Sequence, residues 1–151
     1  MKFSIRAIGR LKNSPEKILF EQYKRRIVWP CQIIELETSQ KQPKSKIKLE
    51  ESSLLKKGLP KRDIIIGLDE RGRNLSSIAF AAKIGQFNDN AQNVTFLIGG
   101  VYGLEDNLKT QCDLIMALGK MTWPHLLVRV LLLEQLYRAQ QILAGHPYHK
   151  E

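Results

Sequence analysis

Apolar positions fall into five short runs separated by stretches with helical spacing. Phe3–Ile8 alternates weakly and predicts a first strand. Ser14-Pro15-Glu16 reads as a helix start, with Ser as the cap and Pro in the first helical position. Ile18, Leu19, Tyr23 and Ile27 continue that helix, Lys24-Arg25-Arg26 lie in its last turn, and Trp29-Pro30 end it. Cys31–Leu36 predicts a second strand. Residues 38–48 are polar and basic and predict a mobile loop, after which a helix runs over 49–58 and stops at Gly58.

Ile64–Leu68 and Val94–Ile98 are continuous apolar runs, as expected of strands buried on both faces. The first ends in a turn, Asp69-Glu70-Arg71-Gly72, and the second in Gly99-Gly100. Ser76–Phe87 predicts a short helix, Glu105–Gln111 another, Leu114–Leu118 a fifth strand, and Pro124–Leu143 a last helix. Strands alternate with helices throughout, which defines an α/β fold with a mostly parallel sheet. No repeat or boundary divides residues 1–151, so a single domain is expected.

The last helix departs from an amphipathic pattern. Nine of the twelve residues in Leu126–Tyr137 are apolar and cover more than one face. Such a helix is either wholly internal or turns part of its surface to a second chain, and a homodimer is the more attractive expectation in a chain of this size. Arg129 and Arg138 sit on this helix; a buried Arg needs a partner, and Glu134 is one turn from Arg138.

Charge changes the picture. The chain of 151 residues carries a net +9. Residues 1–75 hold 18 Lys or Arg against 9 Asp or Glu, whereas residues 76–151 hold 6 of each. A basic excess confined to one half attracts polyanions, nucleic acid first among them. The longest uncharged stretch, Asn90–Leu104, has 15 residues and three glycines. A membrane span needs about 20 apolar residues, so none is expected. The charged start MKFSIRAIGRLK lacks the apolar segment of a secretory signal. Two cysteines, Cys31 and Cys112, are too few for a disulfide scaffold. A cytoplasmic protein with reduced thiols is the expectation.

Ligands of open α/β sheets bind beyond the carboxyl ends of the strands. Three such ends are rich in glycine or loop: Leu68–Gly72, Gly99–Leu104 and Leu118–His125. The third carries one charge, Lys120, and can wrap a flat heterocycle with backbone groups. Gly99-Gly100-x-x-Gly103 matches neither a dinucleotide fingerprint nor a phosphate loop. His146 and His149 make a weak metal pair with no further ligands nearby, so no metal is expected. The tail Gly145–Glu151 concentrates aromatic and basic groups that can stack on bases and contact phosphates.

Three segments together carry a resemblance. They are Phe96–Gly100 with Gly103-Leu104; Lys120–His125 with Val128-Arg129-Val130, Glu134-Gln135 and Tyr137-Arg138-Ala139; and His146–Lys150. In this order they resemble the ribosomal RNA large subunit methyltransferase H family of the SPOUT superfamily, over nearly the full chain. The resemblance implies a trefoil-knotted parallel sheet flanked by helices, S-adenosyl-L-methionine (SAM) as methyl donor, and an obligate homodimer. It also implies methylation at N3 of pseudouridine 1915 of 23S rRNA in the assembled ribosome. By the same resemblance Leu68, Gly99, Leu118, Gly119, Lys120, Met121, Thr122 and Trp123 line the SAM pocket. The family often has Ser where this chain has Gly119.

N3 of the acceptor must lose a proton, so a base must stand within hydrogen-bond reach. His125, Glu134, Tyr148 and His149 are candidates, with Arg138 as a cation for the anionic acceptor. The loop of one subunit and the tail of the other are expected to share a site. Two rivals stand beside this reading: a non-catalytic RNA- or ribosome-binding module, and a SPOUT enzyme acting on tRNA.

Overall fold

The computed structural model describes residues 1–39 and 41–150. Ten elements follow one another: β1 (Phe3–Ile8), α1 (Pro15–Arg26), β2 (Cys31–Leu36), α2 (Lys44–Lys56), β3 (Ile64–Asn74), α3 (Ser77–Asp89), β4 (Val94–Ile98), α4 (Asp106–Lys109), β5 (Leu114–Ala117) and α5 (His125–Leu143). The strands form one parallel sheet in the order β2-β1-β4-β3-β5.

Period-two alternation in the inner strands feeds two cores. Phe3, Ile5, Val94, Phe96 and Ile66 face a layer built by α1, α3 and α5 through Phe20, Phe80, Ile84, Leu132, Leu133 and Leu136. Ile65 and Leu97 face the other way, onto Leu55 of α2 and Leu108 of α4. Covering both faces is what lets every residue of β1 and β4 be buried.

Local chemistry sets the helix ends. Ser14 Oγ accepts from Lys17 N at 3.2 Å, with Pro15 in the first turn, as the sequence predicts. Ser76 caps α3 in the same way. The end of α2 is capped from a distance. Arg6 of β1 is buried and donates to the carbonyls of Leu54, Leu55 and Lys57 at 3.1, 2.9 and 2.6 Å. A cation among terminal carbonyls is the favourable polarity at a helix C-terminus.

Two expectations are corrected. Residues 38–48 were predicted to be a loop, yet Lys44–Lys48 form the first turns of α2, anchored by buried Ile47. Asp69–Gly72 was predicted to be a turn, yet β3 continues through it to Asn74. Pairing with β5 breaks after Leu68 and resumes at Arg73, both opposite Met116. Gly72 permits that return, because a Cβ there would lie 2.7 Å from the Met116 backbone.

On α5, Arg129, Val130, Leu132, Leu133, Leu136 and Ala139 are buried, while Leu126, Leu127, Val128 and Leu131 are half-exposed. The helix is therefore not wholly internal within one chain. None of the helices is long and apolar enough to cross a membrane, among the described residues.

Candidate active site

Beyond the carboxyl ends of β3, β4 and β5 lies a cleft of about 460 Å³. Its floor is apolar, formed by Leu68, Ile98, Met116 and Leu118, and its mouth carries charge from Lys48, Glu70, Arg71 and Asp106. The three segments singled out in the sequence converge here: the loops after β4 and β5, and the stretch of β3 after Leu68 where its pairing with β5 is interrupted. Leu68, Gly99, Leu118, Gly119, Met121, Thr122 and Trp123 all line it. Lys120 does not; its side chain is exposed and outside the lining.

Each loop is braced. Gly103 N donates to Gly100 O at 3.0 Å, closing the turn after β4, and Gly103 has a φ of +71°. A Cβ on Gly99 would sit 2.6 Å from Gly103 C, so Gly99 is required by the turn itself. The loop after β5 folds on its own indole: Trp123 Nε1 donates to Leu118 O at 2.9 Å. Thr122 Oγ1 donates to Glu70, tying this loop to the β3 bulge.

The sequence reading missed an ion pair in the wall. Lys109 Nζ lies 2.8 Å from Asp69 and 3.2 Å from Asp106. Burial pushes the Asp69 carboxyl up, but the Lys109 ammonium and the Arg71 N–H hold it below its ordinary range. Burial pushes Lys109 down, and the two carboxylates raise it overall. The signal available in sequence was Asp106 three residues before Lys109, a spacing that pairs charges on a helix; Asp69, forty residues away, gave none.

His125 opens α5 and lines the cleft. Its imidazole packs beside Gly9, where a Cβ would come within 3.3 Å of Nε2. Burial, then the nearby Arg129 charge, lowers its pKa, so the ring is neutral at pH 7. Arg129 is fully buried; it donates to Ile8 O and, at 3.1 Å, to Glu35 Oε1, which also accepts from Leu11 N at 2.8 Å.

Arg138, Tyr148 and His149 do not enter the cleft of their own chain. Arg138 lies thirteen residues beyond His125 on the same helix, about 20 Å at 1.5 Å per residue. The three form a separate cluster. Arg138 donates from Nε and Nη2 to Glu134 Oε1 at 3.0 and 2.6 Å, the pairing that the sequence spacing suggested. Its Nη1 lies 3.2 Å from His149 Nδ1. A guanidinium has only donors, so Nδ1 accepts and Nε2 carries the ring proton. The Tyr148 ring stacks edge-on against Tyr137 and lies 4.8 Å from the Arg138 guanidinium. Burial, the Glu134 charge and Tyr23 push the Tyr148 phenol up to about 12.

A parallel sheet covered on both faces, with a braced cleft at its carboxyl edge, is the arrangement of a ligand-binding α/β domain. The chain belongs to the SPOUT methyltransferase family: the family described as "Predicted SPOUT methyltransferase" matches residues 1–149. It is similar to the ribosomal RNA large subunit methyltransferase H of Rhodospirillum centenum, 44% identical over 151 residues and 99% of each chain. The protein of that name from Rhizobium rhizogenes is 45% identical over 159 residues, again 99% of each. Among solved structures, a "probable methylase family protein" from Haemophilus influenzae shares the fold, with a TM-score of 0.57 at 9% identity over 99% of this chain and 70% of that one.

Proposed function

We propose that this chain methylates N3 of pseudouridine 1915 in 23S rRNA of the ribosome, using SAM, as a cytoplasmic homodimer with one domain per protomer. The observation that carries the reading is the cleft, which joins seven of the eight residues expected around SAM. Its volume is that of a small-molecule site. The apolar floor suits an adenosyl group, and backbone groups of Leu118, Gly119 and Met121 suit its polar edge. SAM brings a methyl that is already electrophilic on its sulfonium.

The chain supplies position and proton handling. The braced loops would fix the donor's place in the cleft. His125, neutral and in the cleft, accepts the N3 proton as the acceptor attacks. The Tyr148 hydroxyl is already given to Glu134, so its ring shapes the cluster, and His149 presents the N–H that acts as a donor. Arg138 offsets the negative charge of the deprotonated base. The tail cluster lies about 20 Å along α5 from His125. We therefore assign it to the cleft of a second copy, docked on the half-exposed apolar face of α5. The basic first half holds the RNA.

The test pairs calorimetry with nucleoside mass spectrometry. SAM binds the pure protein with micromolar affinity, and 23S rRNA incubated with protein and SAM gains one methylated pseudouridine. A Leu118→Trp variant, whose indole fills the cleft floor, and a chain ending at Ala144 are each inactive, and mixing them restores part of the activity. Salt-sensitive ribosome binding with no SAM binding would instead support the non-catalytic module. Failure of the mixture to recover would remove the shared site.

A further inference from the structure

The turn after β4 carries a feature that the chemistry above does not use. Tyr102 stands at its apex, half-exposed, on the rim of the cleft. Lys44 of α2 places its ammonium 5.1 Å from the ring centroid. Lys48, one turn further along α2, lines the same rim. Val101, beside Tyr102, is 76% exposed.

We propose that Tyr102 and Lys44 form a nucleotide-binding rim that holds an unpaired nucleotide neighbouring the target base. This rests on the RNA-methylating reading above and deepens it, by assigning the face on which the RNA lies. An aromatic ring offers a surface on which any base can stack, and the cations beside it meet the phosphates. The rest of the rim is mixed in charge, with Glu70 and Asp106 beside Arg71 and Lys109. A polyanion is therefore drawn to the α2 side, and its target base reaches the cleft floor from there.

The position is built to project. Gly100 and Gly103 close the turn behind Tyr102 through a backbone bridge. Glu105 N donates to Ser52 Oγ at 3.3 Å, fixing the far end of this loop on α2. Tyr102 and Lys44 are therefore held in one frame and meet an incoming strand together.

The experiment measures steady-state methyl transfer to ribosomes and, separately, SAM affinity by calorimetry. Tyr102→Ala raises KM for ribosomes about tenfold, as loss of one stacked base does, while kcat at saturation changes little. Tyr102→Trp restores KM. Lys44→Ala raises KM and lowers the slope of log affinity against log salt by about one. SAM affinity stays within twofold in all three. An unchanged KM in both Tyr102→Ala and Lys44→Ala would overturn the rim, as would a parallel loss of SAM affinity, which would assign these groups to the cofactor. If the unaltered protein transfers no methyl, the functional reading falls first. The rim is then judged by ribosome binding alone: equal affinity of Tyr102→Ala and the unaltered protein would overturn it, and weaker binding by Tyr102→Ala would support it.

Discussion

The Tyr148 hydroxyl donates to Glu134 Oε1 at 3.1 Å, closing the C-terminal tail onto the middle of α5. The same carboxylate oxygen takes two hydrogen bonds from Arg138. One acceptor thus organises a phenol, a guanidinium and, through that guanidinium, the His149 imidazole.

This clasp has an alkaline signature. The Tyr148 pKa rises from 10.0 to about 12, through burial, the Glu134 charge and Tyr23. The folded state then binds more protons than the unfolded state between these values, so stability falls with pH there. The contribution is complete below about pH 10 and lost as pH approaches 12. Ultraviolet titration of tyrosinate will show one late-ionising group, absent in Tyr148→Phe. Glu134→Gln will bring it back toward the ordinary range.

His125 carries the opposite linkage. Its folded pKa lies below 6.5, first through burial and then through Arg129. The neutral ring is the stable form, so its contribution is present above pH 6.5 and lost as pH falls through the folded value. NMR titration of the imidazole protons will place the His125 midpoint below that of an exposed histidine. A midpoint at or above 6.5 would remove it as a base held neutral.

Arg129 and Glu35 join α5 to β2 beneath the cleft. Arg129→Met leaves the Glu35 carboxylate and the Ile8 carbonyl short of a donor, and costs about 3 kcal/mol in denaturant unfolding. Adding Glu35→Gln recovers part of that loss, because the stranded charge is gone. Additive losses in the double variant would show that the two do not act as a pair.

The glycines of the cleft divide by cause. Gly99→Ala drives a Cβ into the Gly103 backbone and costs about 2 kcal/mol through a forced opening of the turn. Gly119→Ala meets no atom within 4 Å, and only its φ of +95° is strained, for about 1 kcal/mol. Chemical denaturation of the two variants measures the difference. Equal costs would mean that the close approach at Gly99 relaxes freely.

Much of this was readable in the chain because the deciding forces are local. Ser14 and Pro15 start α1 where their chemistry requires. The apolar runs in β3 and β4 announce strands covered on both faces, and the glycines and loop residues after them announced the cleft. What escaped depends on partners distant in sequence. The first turns of α2 are lysine-rich and carry little apolar signal. Ile47 anchors them in the core, and the far end of the helix is held by Arg6, some fifty residues away. The extension of β3 depends on Met116 of β5. Gly99 invited a ligand-centred explanation, whereas the structure gives it a turn-centred one. His125, Arg138, Tyr148 and His149 were read as one set, although the expected helix Pro124–Leu143 already separates His125 from Arg138 by thirteen residues; that Tyr148 and His149 fold back onto Arg138 and Glu134 depends on contacts residue type does not reveal.

The strand order also bears on how the protein is made. β1 is translated first, and it pairs with β2 soon afterwards. Its other edge waits for β4, some ninety residues later. Until then the nascent chain carries an apolar strand with an open hydrogen-bonding edge, a state prone to mispairing. β4 must then slot between β1 and β3, and β5 must still add to the far edge of β3, so the sheet closes late and through non-local pairs. Such an order favours slow folding, completed only after most of the chain has left the ribosome.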